Sequence, residues 1–213
     1  MINSIIFDFD GVLVESVDIK TRAFARVFEA EGADVMAKVV EYHLQNAGVS
    51  RFDKFRYIYA HILGKPLPDE RFDKLCADFA ALVVDEVTNA PFVKGAREFL
   101  ANFAIRDYQC FVSTATPQAE IEEIIRQRGM SAYFKLVLGA PKKKQAIVAE
   151  ILDTFAINPA EAVYVGDAMS DYKAATLNQV QFIARIRGDL DVFSGVNCIK
   201  IHDLTELHEA LHR

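Results

Sequence analysis

The sequence predicts an α/β fold: a parallel sheet covered by helices on both faces, with a block of helices inserted after the first strand. Three features predict it. Short, near-continuous apolar runs recur along the 213 residues. Amphipathic helical patterns separate them, as in parallel sheets buried on both faces. Residues 17 to about 88 break that alternation and contain no convincing strand.

The runs are "SIIF" (4–7), "CFVS" (110–113), "KLVLG" (135–139), "AVYVG" (162–166) and "QFIAR" (181–185). Ile121, Ile124 and Ile125 share one helical face, and Val148, Ile151, Leu152 and Phe155 share another. Leu204, Leu207 and Leu211 predict a short amphipathic helix at the C-terminal edge. Within the insert, Phe24, Val27 and Phe28 mark a helix ended by Gly32, and Val39, Val40 and Leu44 a second. Ser50 with Asp53 has the spacing of a capping box, before a third helix with Phe55, Ile58, Tyr59 and Ile62. Pro68 and Asp69 open a fourth, with Phe72, Leu75, Phe79, Leu82 and Val83 on its apolar stripe. The division that follows is a core of residues 1–16 and 89–213 and an all-helical cap domain of 17–88.

Composition narrows the function. Hydrophobic residues make up 52% of the chain, enough for a sizeable core. A net charge of −6 without a basic cluster argues against a nucleic-acid partner. Cys76, Cys110 and Cys198 are widely spaced and odd in number, which suits reduced thiols in the cytoplasm. No apolar stretch approaches a membrane span, and no signal-peptide pattern precedes the first strand. His43, His61, His202, His208 and His212 lack metal-ligand spacing and are expected on helix surfaces.

The segment "SIIFDFDGVLVES" (4–16) places Asp8 and Asp10 directly after a buried strand, where carboxylates are costly unless something neutralises them. In extended backbone the two point the same way, roughly 6.5 Å apart at their α-carbons, while Phe9 points into the core. Gly11 permits a sharp turn. A second acidic pair, Asp167 and Asp171, follows the strand in "VYVGDAMSDYKAA" (163–175). If the two strands are neighbours, up to four carboxylates converge, and mutual repulsion calls for a hard cation. Mg2+ fits, since it accepts a few carboxylates and keeps water or phosphate oxygens as its other ligands.

These motifs resemble those of the haloacid dehalogenase-like (HAD) superfamily. "DFDGVLVES" resembles its first motif, with Glu15 where Asp is commoner; "FVSTATP" (111–117) resembles the second and "VYVGDAMSD" the fourth. The resemblance covers essentially the whole chain, with a helical insert like that of the phosphoglycolate phosphatase and β-phosphoglucomutase branch. It implies a Rossmann-like core and Mg2+-dependent phosphoryl transfer to or from a small phosphorylated substrate. Asp8 would be the nucleophile and Asp10 the general acid and base. The Asp8 carboxylate, the Asp10 backbone carbonyl and Asp167 would bind the metal, with Asp171 acting directly or through water. Asp10 also argues against dehalogenation, whose carbon ester needs no such acid.

The resemblance also implies a hydroxyl on the second motif and a lysine to offset the nucleophile's charge. Thr114 fits the first by its distance from "YFKLVLG", with Ser113 the near alternative; Gly11 and Ser113 are candidates for binding the phosphoryl group. The lysine falls in "GAPKKKQAIVAEIL" (139–152), where Lys144 fits the helical register best and Lys142 and Lys143 are the alternatives. In the insert, "NAGVSRFDKF" (46–55) resembles the β-phosphoglucomutase segment that contacts the distal part of the substrate. Arg51 is the candidate there, suited to a second phosphate or a carboxylate; Lys54 and Arg56 are weaker ones. The expected function is a phosphatase acting on a small phosphomonoester, with a sugar phosphomutase as the alternative. A non-catalytic regulator would predict eroded acids, and none is eroded.

Overall fold

A computed structural model describes residues 1–104, 106–188 and 191–212. Its centre is a six-stranded parallel sheet: β1 (Ser4–Phe7), β2 (Gln109–Pro117), β3 (Leu136–Ala140), β4 (Ala162–Gly166), β5 (Gln181–Arg185) and β6 (Ile199–Ile201), in the order β3-β2-β1-β4-β5-β6. All five strands read from the sequence are present. The sixth was not: three residues with Lys200 in the middle give no apolar run, and β6 exists by pairing with the edge of β5.

Alternation along each strand divides the core. Ile5, Phe7, Cys110, Val112, Val163 and Val165 face one side, against α5 (Ala96–Phe103), α6 (Gln118–Gln127) and the C-terminal α9 (Leu207–Ala210). Ile6, Phe111, Tyr164 and Phe182 face the other, against α7 (Lys144–Thr154) and α8 (Met169–Leu177). Burying each such side chain contributes about 1.5–3 kcal/mol.

Residues 17–89 hold α1 (Val17–Val27), α2 (Ala33–Gln45), α3 (Arg51–Tyr57) and α4 (Asp69–Asn89), with one short 3₁₀ turn and a π-helical continuation of α3 over Ile58–Leu63. No strand occurs there among the described residues. Ser50 caps α3 by accepting from the Asp53 amide, as its spacing predicts. Leu75, Phe79, Val83 and Val87 recur every four residues on the buried face of α4. Phe24, Phe28, Phe55 and Phe79 pack edge to face or tilted around one another.

Two members of the predicted stripes are exposed. Leu82 turns outward because the period carries it past the packed face, and Leu44 sits at the end of α2 beside a cleft. The segment joins the sheet through Val14, which bridges Phe92, and through the Glu15 amide, which donates to the Pro91 carbonyl. No helix among the described residues is long and apolar enough to cross a membrane.

Candidate active site

In an open parallel sheet, ligands bind beyond the carboxyl ends of the strands where strand order reverses. Here that point lies between β1 and β4, which pair directly. Asp8 follows β1 and Asp167 follows β4, so sequence position and topology converge on one place. Oxygens of Asp8, Asp167 and Asp171 all lie within 4.8 Å of one another. Gly11 makes that approach feasible: its φ is +77°, and a β-carbon there would lie 2.2 Å from Asp167 Oδ2. Gly11 serves there as a spacer, and its own amide donates to the Val14 carbonyl.

Lys144 joins this cluster and its two neighbours do not. Its Nζ lies 2.9 Å from Asp8 Oδ2 and 2.6 Å from Asp171 Oδ1, all three groups being buried. Lys142 pairs with Glu150 and Lys143 with Asp53, both on the surface. Asp171 is further held by the Tyr164 hydroxyl and the Ala168 amide, each at 3.0 Å.

Asp10 stands apart from the three clustered acids. Its carboxylate accepts from Lys20 Nζ at 2.5 Å, Ser16 at 2.6 Å, Thr116 at 2.8 Å and Thr114 at 3.4 Å. Three side-chain carboxylates therefore converge rather than four. Ser113 lies one residue earlier on β2, its hydroxyl buried without a hydrogen-bond partner.

Electrostatics separates the acids. Burial pushes the Asp8 carboxyl well above the usual range; Lys144 opposes this, while Asp171, Asp167 and Asp10 add to it. Burial and Asp171 push Asp167 up to about 6, against Arg187 and Lys144. For Asp10, burial is outweighed by Lys20 and by hydrogen bonds from Lys20, Ser16 and Thr116, which hold it below its ordinary value. Lys144 is raised well above the ordinary lysine value, because Asp171 and Asp8 outweigh its burial. The three clustered carboxylates share two cations, Lys144 and Arg187, whose Nε is 2.9 Å from Asp167, while Lys20 pairs with Asp10. An excess of buried negative charge and an all-oxygen donor set fit a hard divalent cation.

The cleft encloses about 90 Å³ between this cluster and the helical segment. Gly48, from the loop before α3, closes on the acidic end: a β-carbon there would lie 2.1 Å from Ser170 Oγ. Arg51 lines the cleft, but Glu120 takes its guanidinium in a two-pronged ion pair. Glu15 forms a similar fork with Arg185, which also donates to the Gly11 carbonyl. The longer acid at position 15 thus ties the turn of the first motif to β5. Arg56 turns away, over the Phe72 ring.

Sequence reading missed Lys20, Thr116, Tyr164, Glu120 and Arg187. Lys20 had a signal, lying one helical turn after Ser16 at the start of α1. Arg187 also had one, two residues beyond a strand end. The other three are set by tertiary packing alone.

His43 is buried rather than on a helix surface, its ring tilted against that of Phe24 with centroids 4.4 Å apart. Lys54 Nζ lies 2.9 Å from its Nδ1. Burial, helped by Lys54, Lys20 and Arg187, lowers the imidazole from 6.5 to about 3. Its stabilisation is fully present above pH 6.5 and is lost as pH falls from there toward 3, because the unfolded ring binds a proton that the folded one refuses. At pH 5 this amounts to about 2 kcal/mol. His43→Gln is expected to lose correspondingly less stability between pH 7 and pH 5 in urea unfolding. Equal losses in the two proteins would contradict this.

The haloacid dehalogenase-like hydrolase family model matches residues 5–185. A phosphoglycolate phosphatase of Nitrosococcus oceani is 26% identical over 185 residues, covering 84% of this chain and 81% of that protein. In fold, the chain is similar to the crystal structure of β-phosphoglucomutase from Clostridium difficile (TM-score 0.79, 18% identity, 100% and 98% of the two chains). It is also similar to a predicted phosphoglycolate phosphatase from Haemophilus somnus (TM-score 0.76, 16% identity, 98% and 97%). These relatives lie in the branch that the sequence motifs resemble.

Proposed function

Because the chain belongs to the haloacid dehalogenase-like hydrolases, we propose that it is a Mg2+-dependent phosphatase hydrolysing a small phosphorylated metabolite through an aspartyl-phosphate on Asp8. One observation carries the reading: Asp8 lies against Lys144 and beside Asp167 and Asp171 at the switch point of the sheet. The phosphoglycolate phosphatase relative supports it.

In this reading an Asp8 oxygen attacks phosphorus, and the leaving alkoxide takes a proton from Asp10. Asp10, now anionic, takes a proton from the water that attacks the aspartyl-phosphate, which releases phosphate and restores Asp8. Asp10 rests ionised beside Lys20, as the second half requires. For the first half it takes up a proton from solvent as the arriving phosphoryl group's negative charge raises its proton affinity, and it returns that proton to solvent after turnover. Lys144 offsets charge on Asp8 and the phosphoryl oxygens, and Thr114 donates to one of those oxygens. Asp8, Asp167 and the Asp10 carbonyl would hold the cation, with Asp171 bound directly or through water. When bound, the cation keeps Asp8 ionised and neutralises charge on the phosphoryl group. Residues 17–88 act as a cap over the cleft, excluding water and contacting the leaving group. We place the protein in the cytoplasm, where Cys76, Cys110 and Cys198 stay reduced; all three are free thiols.

The test is phosphate release from a panel of phosphomonoesters. Mg2+ is expected to support it and EDTA to abolish it; a folded, Mg2+-loaded protein inert toward the whole panel would contradict the proposal. A sugar phosphomutase is the second reading, favoured by the "GVSR" segment and the β-phosphoglucomutase likeness. Isomerisation of a hexose phosphate without net phosphate release would select it.

A further inference from the structure

Within β4, Tyr164 alone has a polar side chain. Its ring is fully buried in the core beneath α7 and α8, tilted against Phe182. A buried phenol hydroxyl needs a partner. This one meets two acceptors, each at 3.0 Å: the Ser113 carbonyl and Asp171 Oδ1. Phenols are protonated at neutral pH, so the group is a donor, and the charged acceptor makes the stronger bond.

The oxygen that Tyr164 reaches is the one on which Lys144 rests. Asp171 Oδ1 also accepts from Lys144 Nζ at 2.6 Å, while its Oδ2 accepts from the Ala168 amide. The other carboxylate against Lys144 is Asp8, at 2.9 Å. In the proposed reaction Asp8 becomes an aspartyl-phosphate and loses its carboxylate charge. Asp171 is then the partner whose charge stays constant through the cycle. A lysine ammonium rides on a flexible four-carbon stem and stays in place only where its acceptors do. Tyr164 ties that acceptor to the sheet. The far end of the tie is the Ser113 carbonyl, one residue before Thr114, where the β2–β3 register begins to shift.

We propose that Tyr164 is a positioning residue: through Asp171 its hydroxyl aims Lys144 at the phosphoryl group. It acts on the chemical step and leaves substrate binding untouched. This rests on the phosphatase reading and adds to it a residue outside the acids, hydroxyl and lysine of the motifs.

The experiment is Tyr164→Phe, alone and combined with Lys144→Met, in steady-state kinetics at saturating Mg2+ on a phosphomonoester that the panel identifies. Phenylalanine keeps the ring and removes only the hydroxyl. The single variant is expected to lose about 10- to 100-fold in kcat, with KM within about threefold of wild type. In the Lys144→Met background the same change is expected to alter kcat by less than about twofold, because no ammonium is left to aim. If Lys144→Met does not fold, Lys144→Gln serves as the background. A hydroxyl needed only for packing would lower kcat by the same factor in both backgrounds, which would overturn the proposal. So would an unchanged kcat in the single variant, a raised KM with kcat intact, or a Tyr164→Phe protein that does not fold. Any of these beside normal turnover by wild type removes this inference alone. No phosphate release by wild type from any ester removes the phosphatase reading, and this inference with it.

Discussion

Asp8→Asn is expected to lower kcat by at least about 10⁴-fold, the scale seen when a nucleophile that works in concert with its neighbours is removed. An amide oxygen is too weak a nucleophile to replace the carboxylate, and no other acid at the site occupies the end of β1. The fold is expected to survive and the metal-free protein to gain stability. Burial raises the Asp8 pKa in the folded state, so its contribution is present below the ordinary value of 3.8 and lost as pH rises through the elevated one. As pH rises through that elevated value, ionising Asp8 in the absence of metal is a cost, and asparagine removes it. Steady-state kinetics with Mg2+ and thermal melting in EDTA check the two halves. Turnover within tenfold of wild type, or a lower melting temperature, would contradict them.

Lys144→Met carries the largest expected loss of stability. It leaves Asp8 and Asp171 buried without their shared cation, and removing one partner of a buried ion pair costs about 3–5 kcal/mol. Activity is expected to fall with it by about 10²- to 10⁴-fold, since repulsion between Asp8 and an incoming phosphoryl group is no longer offset. Lys142→Met and Lys143→Met touch only surface pairs and are expected to stay within about 0.5 kcal/mol of wild type. Urea unfolding of the three variants at pH 7 separates them. Equal effects at all three positions would show that Lys144 has no special standing.

Where the chain dictates geometry through local rules, the sequence was readable. Asp8 and Asp167 each follow a continuous apolar run; the sequence made their meeting conditional on those strands being neighbours, and the pairing of β1 with β4 supplies that condition. Lys144 was distinguished from Lys142 and Lys143 by the register of Val148, Ile151 and Leu152, which fixes the inward face of α7. What was not readable depends on who faces whom across elements. Nothing local tells that Glu120 on α6 will take the guanidinium of Arg51 on α3, or that Lys20 and Thr116 will surround Asp10. His43 looked like a surface residue because an imidazole at a helix end carries no sign of burial; it is buried because Phe24 and Lys54 close over it. Leu44 and Leu82 fit apolar stripes, but no neighbour covers those positions. For β6, three residues suffice because the sheet edge supplies the pairing.

The most direct measurement is a rapid acid quench of wild type turning over a ³²P-labelled phosphomonoester that the panel identifies, followed by peptide mapping. The expected result is a transient, hydroxylamine-labile label on the peptide carrying Asp8, formed with Mg2+ and absent in EDTA or in Asp8→Asn. Product formed with the label on another residue would show that Asp8 is not the group that accepts phosphorus. Product formed by a metal-free protein would remove the reason given for three carboxylates meeting at the end of the sheet.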